Sequence, residues 1–234
     1  MRFEQSLIEG TLLRRQKKFA ADVKLNSGEE VTVHCAHPGS LSGCLEPGNK
    51  VLVSVQESAK SKFKHHLEII YTGRTPVAIH SGRQATIVAE ALGEAKILEL
   101  AGYAKLRREA KGARNTRIDL VVEGNGLRAC YMKIETVTLV QDGVSYFPDV
   151  VWEQGPEAMQ DLTNLVREGH RAMIMFLITR ADVERFRIAE HIDPDFVQAF
   201  RDAVARGVEP VAYRAKVSRR TVELDAPVTI DLSE

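Results

Sequence analysis

No stretch of this sequence stays apolar for the roughly 18 residues that a membrane-spanning helix needs. The longest apolar run, 172–178, has the length of a buried strand, so a membrane partner is not expected. Cysteine is scarce: there are three, Cys35, Cys44 and Cys130, and no Cys-x-x-Cys occurs. An odd count without metal-ligand spacing argues against a disulfide framework and against a cysteine-based zinc site, and it fits a reducing compartment. The opening Met1-Arg-Phe-Glu-Gln-Ser lacks the apolar core of a signal peptide, and a cytoplasmic location is the expectation. Internal repeats and low-complexity tracts are missing. So is net charge: 32 Lys and Arg balance 32 Asp and Glu, and bulk charge does not announce a nucleic-acid binder.

What is present points to a globular chain. Its 234 residues are 44% hydrophobic and 27% charged, enough for a core and long enough for two domains. Charge is unevenly spread. Lys and Arg outnumber Asp and Glu over residues 1–85, and the remainder is acidic. Two basic clusters stand out, Arg14-Arg15-Gln-Lys17-Lys18 and Lys60-Ser-Lys62-Phe63-Lys64. Either they are solvated surface, or Arg14, Arg15, Lys17, Lys18, Lys60, Lys62 and Lys64 contact phosphates.

The first 80 residues read as short strands. The segments 19–25, 30–35, 50–55 and 67–71 are separated by turn residues such as Asn26-Ser27-Gly28 and Pro47-Gly48. Such spacing suggests a small barrel, for which the five-stranded oligonucleotide-binding (OB) type is one candidate among several. The period then changes. Ile87, Ala91, Ala95 and Leu98 predict a helix over 87–100 with Gly102 as its stop. Residues 117–122 and 128–137 predict two strands around an Asn-Gly turn. A helix is expected over 156–167, a strand over 171–178, a helix capped by Asp193 and started by Pro194, and late strands over 208–216 and 221–230. The expectation is an α/β (α+β) chain with one domain over 1–80 and a second over 81–234.

Chemistry concentrates in 109–153. Alternation along a strand puts Tyr131, Lys133 and Glu135 on one face, and the hairpin would bring Asp119 beside them. Carboxylates on adjacent strands can hold a magnesium ion, and a lysine nearby can steady developing charge. On spacing alone, a cross-strand salt bridge explains the same residues.

Several stretches, in order along the chain, resemble the sugar fermentation stimulation protein (SfsA) family: Phe19-Ala-Ala-Asp-Val23, the segment from His34 to Cys44, Ile87-Val-Ala-Glu-Ala-Leu92, Leu100-Ala-Gly-Tyr103, Thr116-Arg-Ile-Asp-Leu120, Val137-Thr-Leu139, Tyr146-Phe-Pro-Asp-Val150, His191-Ile-Asp193 and Arg206-Gly-Val-Glu209. The resemblance implies an OB-like N-terminal β-barrel followed by a PD-(D/E)xK nuclease-like α/β domain with a mixed sheet. It also implies a cytoplasmic prokaryotic protein linked to DNA binding and to regulation of sugar utilisation.

The chain departs from the family pattern where the chemistry would sit. Asp119 matches the motif aspartate and Glu109 the upstream acid, but the Glu-x-Lys positions read Lys133-Ile134-Glu135. The basic run expected after Pro148-Asp149 reads Trp152-Glu153-Gln154-Gly155-Pro156-Glu157-Ala158, His37 replaces an asparagine, and Ala85-Thr86 replace an Asn-Arg pair. Residues two apart on a strand face lie roughly 6.5–7 Å apart, against metal–oxygen bonds of about 2.0–2.1 Å, so a transposed carboxylate is far out of place. The expectation is a catalytically inactive nucleic-acid-binding protein, preferring DNA with low sequence specificity and needing no cofactor. The alternative is a Mg- or Mn-dependent nuclease in which Glu109, Asp119 and Glu135 serve the metal and Lys133 assists. A chain whose functional surface has been lost altogether is the third possibility. His65-His66, His170, His191 and Trp152 read as surface, capping or packing residues.

Overall fold

The computed structural model describes residues 1–56, 62–111 and 117–231, with only the backbone at 109–111. Six strands come first: β1 (Ile8–Lys17), β2 (Ala20–Leu25), β3 (Glu30–His34), β4 (Lys50–Val55), β5 (His65–Thr72) and β6 (Thr75–Ala78). They order as β3-β2-β1-β4-β5-β6, and a parallel pairing of His34 with His66 joins β3 to β5 and closes the sheet into a barrel. Leu12, Val23, Val33, Val53, Leu67 and Ile70 fill its interior with no solvent exposure. β1 was not expected from the sequence. Its second half reads Leu-Arg-Arg-Gln-Lys, and two irregularities in its pairing, after Leu12 and after Arg15, break the alternation that marks a strand.

The second part begins with α1 (Gln84–Gly93). Then follow β7 (Lys105–Lys111), β8 (Arg117–Glu123), β9 (Cys130–Val137), β10 (Leu139–Gln141), β11 (Val144–Phe147), α2 (Gly155–Arg167), β12 (Arg171–Ile178), β13 (Arg185–Ile188), α3 (Pro194–Ala205), β14 (Glu209–Val217), β15 (Val222–Pro227) and β16 (Thr229–Asp231). One mixed sheet runs β15-β14-β12-β9-β8-β7, and a smaller one runs β10-β11-β13-β16. The architecture is α+β with an N-terminal OB barrel.

β12 is central, parallel to both β9 and β14. Its run Met173-Ile-Met-Phe-Leu-Ile178 is buried without exception because each face meets a different core. Met173, Met175 and Leu177 face α1, β15 and the barrel residues Leu52, Ile69 and Ala78. Ile174, Phe176 and Ile178 face α2 and α3, where Phe176 meets Phe147, Phe186 and Phe200 at centroid distances of 4.6–5.9 Å. Fully burying one such side chain is worth about 1.5–3 kcal/mol, so this strand anchors the fold. Backbone and side chains also tie the barrel across: Ala78 N–H donates to Thr179 O at 3.0 Å, and Arg180 donates to Thr72 Oγ1 and Thr138 O.

Two helix ends are instructive. Asp193 caps α3 as expected, accepting the Phe196 N–H at 3.0 Å, and its other oxygen accepts the Trp152 N–H at 2.7 Å. α1, in contrast, stops at Gly93 rather than running to Leu100. Ala95 takes a left-handed conformation (φ 54°), Lys96 N–H bonds Ala91 O and Ala95 N–H bonds Leu92 O, which satisfies the last carbonyls and ends the helix. Leu98–Leu100 form a separate short turn, and Gly102 lies beyond it. The late strand expected over 221–230 is two strands: Val228 N–H still bonds Ala212 O of β14, and from Thr229 the chain pairs instead with β13 of the smaller sheet.

Candidate functional site

The site lies where β8 parts from β9. The antiparallel pairing ends at Leu120 opposite Met132, and the next position would set Asp119 opposite Lys133. Instead of backbone pairing, the Asp119 carboxylate accepts the Ile134 N–H at 2.8 Å. This substitutes for the missing ladder bond and fixes a carboxylate that is 5% exposed. Gln84, at the start of α1, braces the same spot. Its Nε2 donates to Ile134 O at 2.8 Å, and its Oε1 accepts from Thr136 Oγ1 at 2.7 Å.

Lys133 stands between the acids. Its Nζ is 3.2 Å from Glu135 Oε1 and 3.6 Å from Asp119 Oδ2, and all three side chains are largely buried. The spacing argument held that Glu135 would sit too far from Asp119 to share a cation. The geometry differs: both carboxylates lie within reach of one ammonium, that of Lys133. Burial by itself would lower the Lys133 ammonium, but Glu135 and Asp119 outweigh it and hold it above its usual range. Burial pushes the Glu135 carboxyl up, against the pull of Lys133.

A divalent ion does not fit this arrangement as it stands. The point that both carboxylates address is taken by a positive charge, and Asp119 already accepts a backbone N–H. Among the described residues, no group of three or more His, Cys, Asp or Glu side chains is placed to hold a metal ion. The Glu109 side chain lies outside the described residues.

The triad forms the floor of a cleft of about 1030 Å³ between the barrel and the second part of the chain. Arg15, Lys17 and Lys18 line the barrel side, and Arg117 lies on the opposite strand edge. Glu153 and Glu157, from the segment whose basic residues are replaced, line the rim. The walls meet through the loop 37–41. Ser40 Oγ donates to Asp149 O at 2.8 Å, and Leu41 N–H donates to Asp149 Oδ2 at 2.9 Å. Gly39 is required there, since a Cβ would sit 2.1 Å from Asp149 Oδ1. His37 Nδ1 faces Ile79 O at 3.2 Å; a carbonyl only accepts, so Nδ1 carries a hydrogen. Its Nε2 is 3.8 Å from Asp149 Oδ2. Burial would raise the Asp149 carboxyl, yet His37 and the N–H groups of the loop prevail and hold it below the usual range.

The other residues singled out in the sequence separate into groups. Arg15 donates to the carbonyls of Lys18, His37, Gly39 and Ser40 at 2.5–3.0 Å, so its guanidinium organises the loop. Arg14 projects away and pairs with Asp22 at 2.9 Å. Lys62 and Lys64 are exposed beside the end of β3, apart from the cleft lining, and Lys60 lies outside the described residues. Trp152 packs against Phe147 and Phe196 at 5.6 and 5.2 Å. Sequence reasoning did not find Gln84, Thr136 or the Gly39–Asp149 contact. Only the Pro-Gly of the loop and the Phe-Pro-Asp motif hinted at the last.

Comparison with known proteins places the chain in context. A family model described as "Sugar fermentation stimulation protein RE domain" matches residues 82–221, and one described as "SfsA N-terminal OB domain" matches residues 13–79. Curated relatives named "Sugar fermentation stimulation protein homolog" include one from Shewanella baltica, 40% identical over 96% of this chain and 97% of its own length. Another, from Thioalkalivibrio sulfidiphilus, is 42% identical over 100% of this chain and 99% of its own. Among solved structures, Pyrococcus furiosus SfsA, described in complex with Ca2+, superposes with a TM-score of 0.89 at 20% identity, covering 99% of this chain and 98% of that one. At that identity the likeness establishes the fold. Among the described residues, no helix is long and apolar enough to cross a membrane.

Proposed function

We propose that this chain, which belongs to the sugar fermentation stimulation protein family, is a nucleic-acid-binding protein without nuclease activity. The observation that carries this reading is the Lys133 ammonium, 3.2 and 3.6 Å from Glu135 and Asp119, at the floor of a cleft whose barrel wall presents Lys17 and Lys18. An internal cation offsets one of the two acidic charges that would otherwise repel phosphate. The cleft can then receive a polyanion without recruiting a metal, through the lysines of its barrel wall. Backbone recognition of this kind gives low sequence specificity, with DNA the expected ligand.

Fluorescence anisotropy with labelled DNA and RNA across a salt series tests it. About three phosphate contacts give a slope of roughly −2.7 in log affinity against log salt, or about a 40-fold loss between 50 and 200 mM. Affinity indifferent to salt, or no binding at low salt, removes the reading. A second reading has one observation in its favour: Asp119 and Glu135 do converge on a single cation site, and the Pyrococcus furiosus relative is described with Ca2+. In it, Mg or Mn would serve a nuclease through Glu109, Asp119 and Glu135. Cleavage of DNA or RNA that needs Mn2+, stops with chelator and is lost in Asp119→Asn would establish that reading in place of the first.

A further inference from the structure

Five of the rings of the barrel gather around the end of β3. Phe19 lies in the β1–β2 turn, His34 ends β3, Phe63 precedes β5, His66 is on β5, and His80 follows β6. We propose that this end of the barrel is a stacking step for the unpaired bases of single-stranded nucleic acid, with Phe19, His34 and Phe63 as its working rings. The proposal rests on the nucleic-acid-binding reading and specifies its substrate form.

The rings are already arranged as a stack. Phe63 and His34 lie 5.4 Å apart with planes 13° from parallel. Behind them His66 and His80 lie 5.5 Å apart at 25°, with His66 edge-on to His34 at 4.9 Å. Phe19 lies 6.4 Å from His34 with its plane tilted by 49°, and it is 47% exposed, among the most exposed of the large hydrophobic side chains. A phenylalanine in a tight surface turn gains little from folding when half of it stays wet. Its exposed face is of use to a flat, apolar partner.

Charge completes the match. Lys18 Nζ lies 5.8 Å from the Phe19 ring centre and Lys62 Nζ 5.9 Å from that of Phe63. Cations beside aromatic rings suit a ligand that alternates phosphates with π-faces. Burial holds His66 and His80 below the usual imidazole range, His80 down to about 4, so at neutral pH these two backing rings present uncharged faces. The step also adjoins the cleft. Lys17 and Lys18 line the cleft while Lys18 flanks Phe19, and Ser81 and Gly82, next to His80, line it as well. A strand leaving the cleft along these lysines would bring its next base to Phe19. Base faces in a duplex are covered by their neighbours, so the step selects unpaired bases.

The test measures anisotropy at low salt for three fluorescein-labelled ligands of equal length: an oligothymidylate, a strand with abasic positions throughout, and a duplex. The abasic strand keeps the phosphates and lacks only the rings. The whole chain is compared with Phe19→Ala, Phe63→Ala and Phe19→Trp, each verified by thermal melting. Stacking of one base is expected to make the oligothymidylate bind about 5- to 100-fold tighter than the abasic strand. That ratio should collapse towards one in Phe19→Ala and return in Phe19→Trp. Equal affinity for the two strands in the unaltered protein, or a ratio that survives both alanine substitutions, overturns the stacking step while leaving the cleft reading intact. Tighter binding of the duplex than of the oligothymidylate overturns it too. Failure to bind any of the three removes the cleft reading and the step with it.

Discussion

Replacing Lys133 by glutamine tests the internal cation most directly. The substitution keeps the length of the side chain, approximately, and deletes one charge that two carboxylates share at 3.2 and 3.6 Å. Each is mostly buried, so solvent does little to screen the loss. Breaking a buried pair by removing one partner costs about 3–5 kcal/mol, because the remaining charge is stranded. The cost must depend on pH. Burial already raises the Glu135 carboxyl, and losing the ammonium raises it further. A carboxyl whose folded-state value lies above its unfolded value is favourable while protonated, and that benefit is lost as pH rises through the folded value. The variant should therefore be close to the parent at pH 4.5 and most destabilised at pH 8. Urea denaturation at the two pH values measures the gap. Divalent ions supply a second readout. With the ammonium gone, 10 mM Mn2+ at a dissociation constant of about 1 mM would restore about 1.4 kcal/mol to the variant. Equal midpoints for parent and variant at pH 8, or equal stabilisation of both by Mn2+, would refute the argument that the ammonium occupies the cation site.

Three further outcomes are expected. Gly39→Ala places a carbon 2.1 Å from Asp149 Oδ1, so the loop must retreat; a loss of about 1–3 kcal/mol in chemical denaturation should accompany weakened nucleic-acid binding. Ala95→Gly relieves a left-handed alanine at the end of α1 and should raise stability by about 0.5–1 kcal/mol, read as a higher melting temperature. His80 is held at about 4 against an ordinary 6.5, so the unfolded chain takes up its proton first as pH falls. Stability contributed by keeping it neutral is complete above pH 6.5 and is lost between 6.5 and 4, by at most about 3 kcal/mol; His80→Asn should flatten the denaturation midpoint across that window.

Much of this was legible in the sequence, and the part that was not has a common cause. The run 172–178 announced a strand covered on both faces, and Asp193-Pro194 announced a capped helix, because both signals lie within a few residues. The hairpin that joins Asp119 to Lys133 and Glu135 was readable from alternation. β1 was hidden because its charged half follows the chemistry of the cleft rather than a buried face. Arg15 carried the signature of a phosphate ligand, yet three of the four carbonyls that it serves lie 22–25 residues away. Gln84 reaches Ile134 and Thr136 across some fifty residues. Local pattern reports what a residue is; only the closed chain reports what it meets. The transposed Lys133-Ile-Glu135 was visible from the outset. The meeting of both carboxylates at one ammonium was not, since strand spacing fixes the backbone and leaves the reach of the side chains free.

The core that runs unbroken from Leu52, Ile69 and Ala78 of the barrel into Met173, Met175 and Leu177 of the central strand has a mechanical consequence. Two bodies joined by a tether can swing apart to admit a ligand and close behind it. These two share an interior, and any swing wide enough to alter the gap would drag apolar side chains into water. The shared core thus holds the gap at one width, and opening it would cost the burial of these side chains.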